Sequence, residues 1–203
     1  AFGRPSEDVV IDERLPFDPL NTCGMYDRSK AEASLAVLDA ARNGLDAVVV
    51  CPTGVVGPHD YRTSELGQLV KDWLSTRLAF LIDGHYDFVD VRDVVQGEIL
   101  AADYGQRGES YILAGERISL ESMFRIVREI AGLRPDVVKL PINLARFAAS
   151  FTPYYYRMSG EKPRFTSYSI ETVLSNSHIS SQKARQNLGY APRSMRDSMQ
   201  DTV

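Results

Sequence analysis

The stretch YDRSKAEASLAVLDAARNGLDAVVVCPTGVVGP, residues 26–58, carries two patterns back to back. From Tyr26 to about Asn43, apolar residues recur at Ala33, Leu35, Ala36, Leu38, Ala40 and Ala41 with helical spacing, and Gly44 is placed to close the helix with a left-handed cap. DAVVVCP follows as a continuous β-branched run between Gly44 and Pro52, the pattern of a strand buried on both faces in a helix-covered parallel sheet. A helix feeding a buried strand is half of a βαβ unit.

The alternation continues downstream. An amphipathic helix is expected near Leu66 to Ser75, YDFVDV reads as a short extended segment, VRDVVQGEILAADYG as a helix and ESYILAG as a strand bounded by glycine. From Ser119 the character changes: Ser119 with Glu121 and Ser122 caps a helix running to Gly132, Leu144–Phe151 reads as another helix, and KPRFTSYSIETVLSN as a loop and helix. SSQKARQNLGYAPRS reads as a further helix closed by Gly189. Residues 1–25 are rich in Pro, Asp and Gly and read as a long surface loop with one short extended piece. The fold class is therefore α/β with a parallel sheet, residues 1–115 forming the core with an excursion near 58–85, and residues 116–203 a mainly helical lobe.

Composition narrows the function classes. The 203 residues are 44% apolar and 25% charged, an ordinary globular composition, and no stretch approaches the roughly 20 apolar residues that span a bilayer. A formal charge of −4 without any basic run argues against a nucleic-acid partner. Cys23 and Cys51 are too few for a disulfide framework, which suits a reducing, cytoplasmic setting, and His59, His85 and His178 lack metal-ligand spacing, so no metal is expected.

Tyr26 and Lys30 are four residues apart and so share one helix face. A phenol titrates near pH 10 and exchanges protons poorly at neutral pH unless a nearby cation favours the phenolate, which is how a Tyr–Lys pair becomes a general acid/base. The spacing alone is a weak motif, since two common residues meet it by chance.

Three further motifs follow it in order: Pro52 before TGVVGP, then FVDVRDV at 88–94, then SSQKARQNLGYAPRSMRDSM at 180–199. With YDRSK at the head, the chain resembles the extended short-chain dehydrogenase/reductases, and among them the NAD-dependent epimerase/dehydratase group with its dihydroflavonol-reductase-like relatives. The resemblance covers essentially the whole chain. It implies the C-terminal part of a Rossmann-type sheet with a substrate-binding lobe, NAD or NADP as cofactor and a small-molecule substrate such as a nucleotide sugar. In its terms Tyr26 matches the proton-transferring tyrosine, and Lys30 the lysine that activates it and binds the nicotinamide ribose. Pro52, Thr53, Gly54 and Val55 match the turn facing the nicotinamide, Tyr61 and Arg62 fall where relatives place substrate contacts, and a homodimer is implied.

The resemblance also leaves parts unaccounted for. None of the glycines forms the Gly-x-x-Gly-x-x-Gly turn that receives a pyrophosphate; Gly54-Val55-Val56-Gly57 comes nearest, but Pro58 follows it, and it reads as a tight turn. The family's catalytic Ser or Thr would precede Ala1. The expectation is a fragment whose sheet is completed by a missing N-terminal segment or another chain, inactive by itself. A non-catalytic cofactor-sensing or scaffold member is the alternative, although a scaffold has no chemical need for Tyr26 and Lys30. Asp90, Arg92 and Asp93 are expected to form an ion-pair network, Trp73 to pack, Cys51 to be an inert core thiol, and Tyr154–Tyr156 to pack at a helix or subunit contact.

Overall fold

A computed structural model of the chain describes residues 2, 9–21, 24–144 and 176–203. The helices expected for 144–151 and within 162–176, the tyrosine cluster at 154–156 and Cys23 fall on or run into residues outside that set. The chain forms two compact units, each built from three separate segments: Ala1–Val55, Asp87–Glu116 and Asn176–Ser194 in the first, and Val56–Tyr86, Arg117–Ser175 and Met195–Val203 in the second.

The first unit holds the opening helix and strand. α1 spans Met25–Arg42 and Gly44 follows with φ 112, so the glycine predicted to end the helix does adopt a conformation closed to most side chains. β1, Val49–Pro52, runs parallel to β5, Ser110–Leu113, in the register Val49–Ser110 to Pro52–Leu113. Helix α3, Val91–Tyr104, packs on both strands, as expected for a crossover in a parallel sheet. Gly97 of α3 faces the Leu113 side chain so closely that a Cβ would overlap it, which lets helix and strand approach. Helix α5, Gln182–Leu188, ends on Gly189 in the left-handed conformation and lays Ala184, Leu188 and then Tyr190 against Val89, Val94, Tyr111 and Leu113. That burial draws Asn176–Ser194 into the first unit, although the sequence reading groups it with the lobe that follows Gly115.

Two strand expectations need correcting. β5 is buried at every residue, but β1 is only half-buried, with Pro52 exposed; β5 is the only strand it pairs with among the described residues. The Gly54–Gly57 stretch is not a tight turn. Gly54–Val56 is a strand, β2, in a three-stranded sheet of order β2-β4-β6 with β4, His85–Asp90, and β6, Glu116–Ser119.

The second unit contains α2, Glu65–Ser75, and α4, Leu120–Ile130, each begun by a serine whose hydroxyl accepts an amide hydrogen three residues on. α4 packs on α2, on α6, Met195–Gln200, and on β3, Ala79–Ile82, which runs parallel to β7, Val137–Leu140. Trp73 meets Phe124 edge to face at 5.6 Å, the packing role expected for it. Arg128 is buried and forks onto three carbonyl oxygens: Trp73 at 3.2 Å, Thr76 at 2.8 Å and Arg134 at 2.6 and 2.9 Å. It thereby ties the end of α2 to the end of α4.

Candidate active site

The first two turns of α1 present the proposed acid/base pair. Helical geometry puts Tyr26 and Lys30 one turn apart, and Lys30 Nζ lies 5.5 Å from the centroid of the Tyr26 ring, within cation–π range. Tyr26 is 67% exposed, so its hydroxyl is open to an approaching molecule. Ser29, exposed beside Lys30, donates its hydroxyl hydrogen to the Tyr26 carbonyl at 2.8 Å.

The Pro52–Val55 segment lies at the C-terminal end of β1, where open parallel sheets bind ligands. Pro52 closes β1, Thr53 is the single residue linking it to β2, and Gly54 and Val55 belong to β2. Thr53 is held twice. Its N–H donates to the Leu113 carbonyl at 3.3 Å, and its hydroxyl donates to Asp87 Oδ1 at 2.6 Å. Asp87, on β4, is only 2% exposed, and the same oxygen accepts the Gly115 N–H at 2.9 Å. Burial pushes the Asp87 carboxyl above its ordinary value, and the hydrogen bonds from Thr53 and Gly115 pull the other way. No hydrogen bond joins this group to Tyr26 or Lys30 among the described residues; what they share is placement in one unit, with α1 packed on β1.

Asp87 has no sequence signature. It is one of two aspartates in YDFVDV, with nothing in the pattern to set it apart, and its partners stand 34 and 28 residues away. Arg193 was missed for the same reason. It donates to Asp93 through its backbone N–H and guanidinium at 2.9–3.1 Å, while Arg92 grips the buried Asp90, which caps α3. The ion-pair network expected at Asp90, Arg92 and Asp93 is present, with Arg193 as a further member. Cys51 carries a thiol that burial pushes up to about 11, which keeps it protonated and unreactive at neutral pH.

Tyr61 and Arg62 belong to the second unit, on the loop before α2, and are exposed, Tyr61 at 89%. The loop has two non-glycine residues in the left-handed region, His59 at φ 71 and Thr63 at φ 53, and the Tyr61 hydroxyl lies 3.3 Å from His59 Nδ1. No group of His, Cys, Asp and Glu among the described residues is arranged to hold a metal ion.

The phenol and ammonium of α1 and the threonine hydroxyl at the end of β1 are thus polar groups presented by one unit. No helix among the described residues opens on a glycine-rich turn of the kind that receives a pyrophosphate.

Comparison with known proteins agrees with the fold. Residues 1–114 match the model of the NAD dependent epimerase/dehydratase family. The chain is 34% identical over 190 residues to Sterol demethylase protein B of Methylococcus capsulatus, covering 93% of this chain and 57% of that protein. A putative dihydroflavonol 4-reductase of Synechocystis is 28% identical over 207 residues, covering all of this chain and 60% of the relative. Among solved structures, that of gox2253 superposes with a TM-score of 0.79 at 36% identity, covering 98% of this chain and 61% of the other. The chain thus spans about 60% of the length of these three proteins. With α/β units, parallel strand pairs and a matching family model over more than half its residues, the chain belongs to the NAD dependent epimerase/dehydratase family.

Proposed function

We propose that the protein carrying this chain is an NAD- or NADP-dependent oxidoreductase, epimerase or dehydratase acting on an alcohol or ketone of a small molecule. The observation that carries the reading is the Tyr26–Lys30 pair, with the ammonium over the face of the phenol ring on an exposed helix turn. The cofactor, when bound, supplies or accepts the hydride. Tyr26 moves the proton at the substrate oxygen, and Lys30 favours the phenolate and binds the cofactor ribose. The first unit takes the dinucleotide, with Pro52–Val55 along the nicotinamide, and the second takes the substrate, with Tyr61 and Arg62 as contacts.

Nucleotide sugars are one substrate class. Resemblance to proteins named for sterol and dihydroflavonol chemistry favours a fused-ring alcohol or ketone as the first to try. The half-buried strand β1, paired only with β5 among the described residues, supports completion of its sheet by a further strand.

Turnover of nucleotide-sugar and fused-ring substrates by the natural-length protein tests the reading. Tyr26→Phe is expected to lower kcat by about 10²–10⁴-fold while cofactor affinity changes little. Wild-type turnover in that variant would remove Tyr26 from the chemistry, whereas cofactor binding by the unmodified protein without turnover of any of these substrates would favour the scaffold alternative.

A further inference from the structure

We infer that Asp87 is a positioning residue that sets the hydrogen-bonding polarity of Thr53, making its hydroxyl an acceptor for the carboxamide N–H of a bound nicotinamide. The inference rests on the cofactor assignment just proposed, and it concerns a side chain that neither the sequence motifs nor the family match singles out.

A threonine hydroxyl has one hydrogen to give and lone pairs to receive. Here the hydrogen is committed to Asp87 Oδ1 at 2.6 Å, short enough for a charge-assisted bond. Turning the hydroxyl away would take one of two donors from a carboxylate that is almost fully buried, the costly way to break a hydrogen bond. The oxygen therefore has only acceptor capacity left for anything outside. Its place is equally fixed. The Thr53 N–H is tied to Leu113, and the Gly115 N–H holds Asp87 from the far side. Gly115 is itself pressed on β4, where a Cβ would fall on the Phe88 carbonyl oxygen and within 2.8 Å of the Val89 Cα.

A fixed acceptor at the strand end discriminates between ligands. A carboxamide brings N–H donors to it, whereas an acetyl group of the same shape brings none, so Thr53 favours NAD(P) over the 3-acetylpyridine dinucleotide analogue. Asp87 is too buried to touch either and acts only through Thr53. Because both bonds to Asp87 fall on one oxygen, an asparagine amide oxygen can accept both, and Asp87→Asn should preserve the polarity that Asp87→Ala destroys.

The test compares dissociation constants of NAD, NADP and their 3-acetylpyridine analogues, by calorimetry on the natural-length protein, with thermal melts to identify variants that fold. Wild type, Thr53→Ser and Asp87→Asn are expected to prefer the carboxamide form by about tenfold. Thr53→Val and Asp87→Ala are expected to bind both forms within about twofold of each other. If Asp87→Ala does not fold, Thr53→Val against Thr53→Ser decides the question. Equal binding of the two forms by wild type, or an undiminished preference in folded Thr53→Val or Asp87→Ala, overturns the inference and leaves the cofactor assignment standing. Wild type that binds none of the dinucleotides overturns both.

Discussion

Asp87 also makes a prediction about pH. Its carboxyl is harder to ionise in the folded protein than in the unfolded chain because burial strips water from the charged form. Between the ordinary value of 3.8 and the raised one, the folded chain therefore holds a proton that the unfolded chain has released. Stability contributed by this residue falls as pH rises through that window and is level above it. Asp87→Asn does not titrate, so the urea midpoint of wild type measured against this variant should decline as pH is raised from 3.8 and then plateau. A difference that does not vary with pH would show that Asp87 is not raised by burial. At this scale the sequence is an uneven guide. Tyr26 and Lys30 are legible because a helix brings residues four apart together, whereas Thr53, Asp87 and Gly115 meet only once three strands have come together.

Among elements, legibility follows length and punctuation. α1, α2, α3, α4 and α5 all appear where period and caps place them, down to Ser119 as the N-cap of α4 and Gly189 as the left-handed end of α5. The short strands β3 and β7 were not foreseen, because four residues such as AFLI or VVKL are too few to show a period and pass for the ends of neighbouring helices. β2 was hidden by its glycines, which signal a turn even where the chain is extended. Arg128 carries the prediction for elements. It is a buried cation whose partners are three carbonyl oxygens at the ends of α2 and α4, with its guanidinium 5.9 Å from the Phe124 ring. Arg128→Met keeps much of the volume but strands those oxygens, and should cost about 3 kcal/mol, read from chemical denaturation. A loss under about 0.5 kcal/mol would mean that the carbonyls find water instead and that the clamp is dispensable.

For the whole molecule, the two sides of the β1–β5 pair contrast. The outer edge of β5 is dressed by side chains: Glu13 accepts the Ile112 N–H at 2.7 Å, and Lys183 donates to the Ser110 carbonyl at 2.8 Å. The far edge of β1 has no strand beside it among the described residues, and an undressed edge is a template for pairing. The 203-residue chain by itself is therefore expected to associate, giving light-scattering masses above 22.6 kDa that rise with concentration. A monodisperse monomer of that mass would show the edge to be protected. The order of segments has a consequence of another kind. The chain changes units at 55/56, 86/87, 116/117, 175/176 and 194/195, so neither unit is a continuous stretch of polypeptide. On the ribosome, the first unit stays incomplete until Asn176–Ser194 has emerged and the second until Met195–Val203 has, so the usual order in which an early domain folds before a later one is made is closed to this protein. Its early strands must wait, apolar and unpaired, for partners such as Ser110 for Val49 and Val137 for Ala79, about sixty residues behind them, which makes the nascent chain a natural client for chaperones.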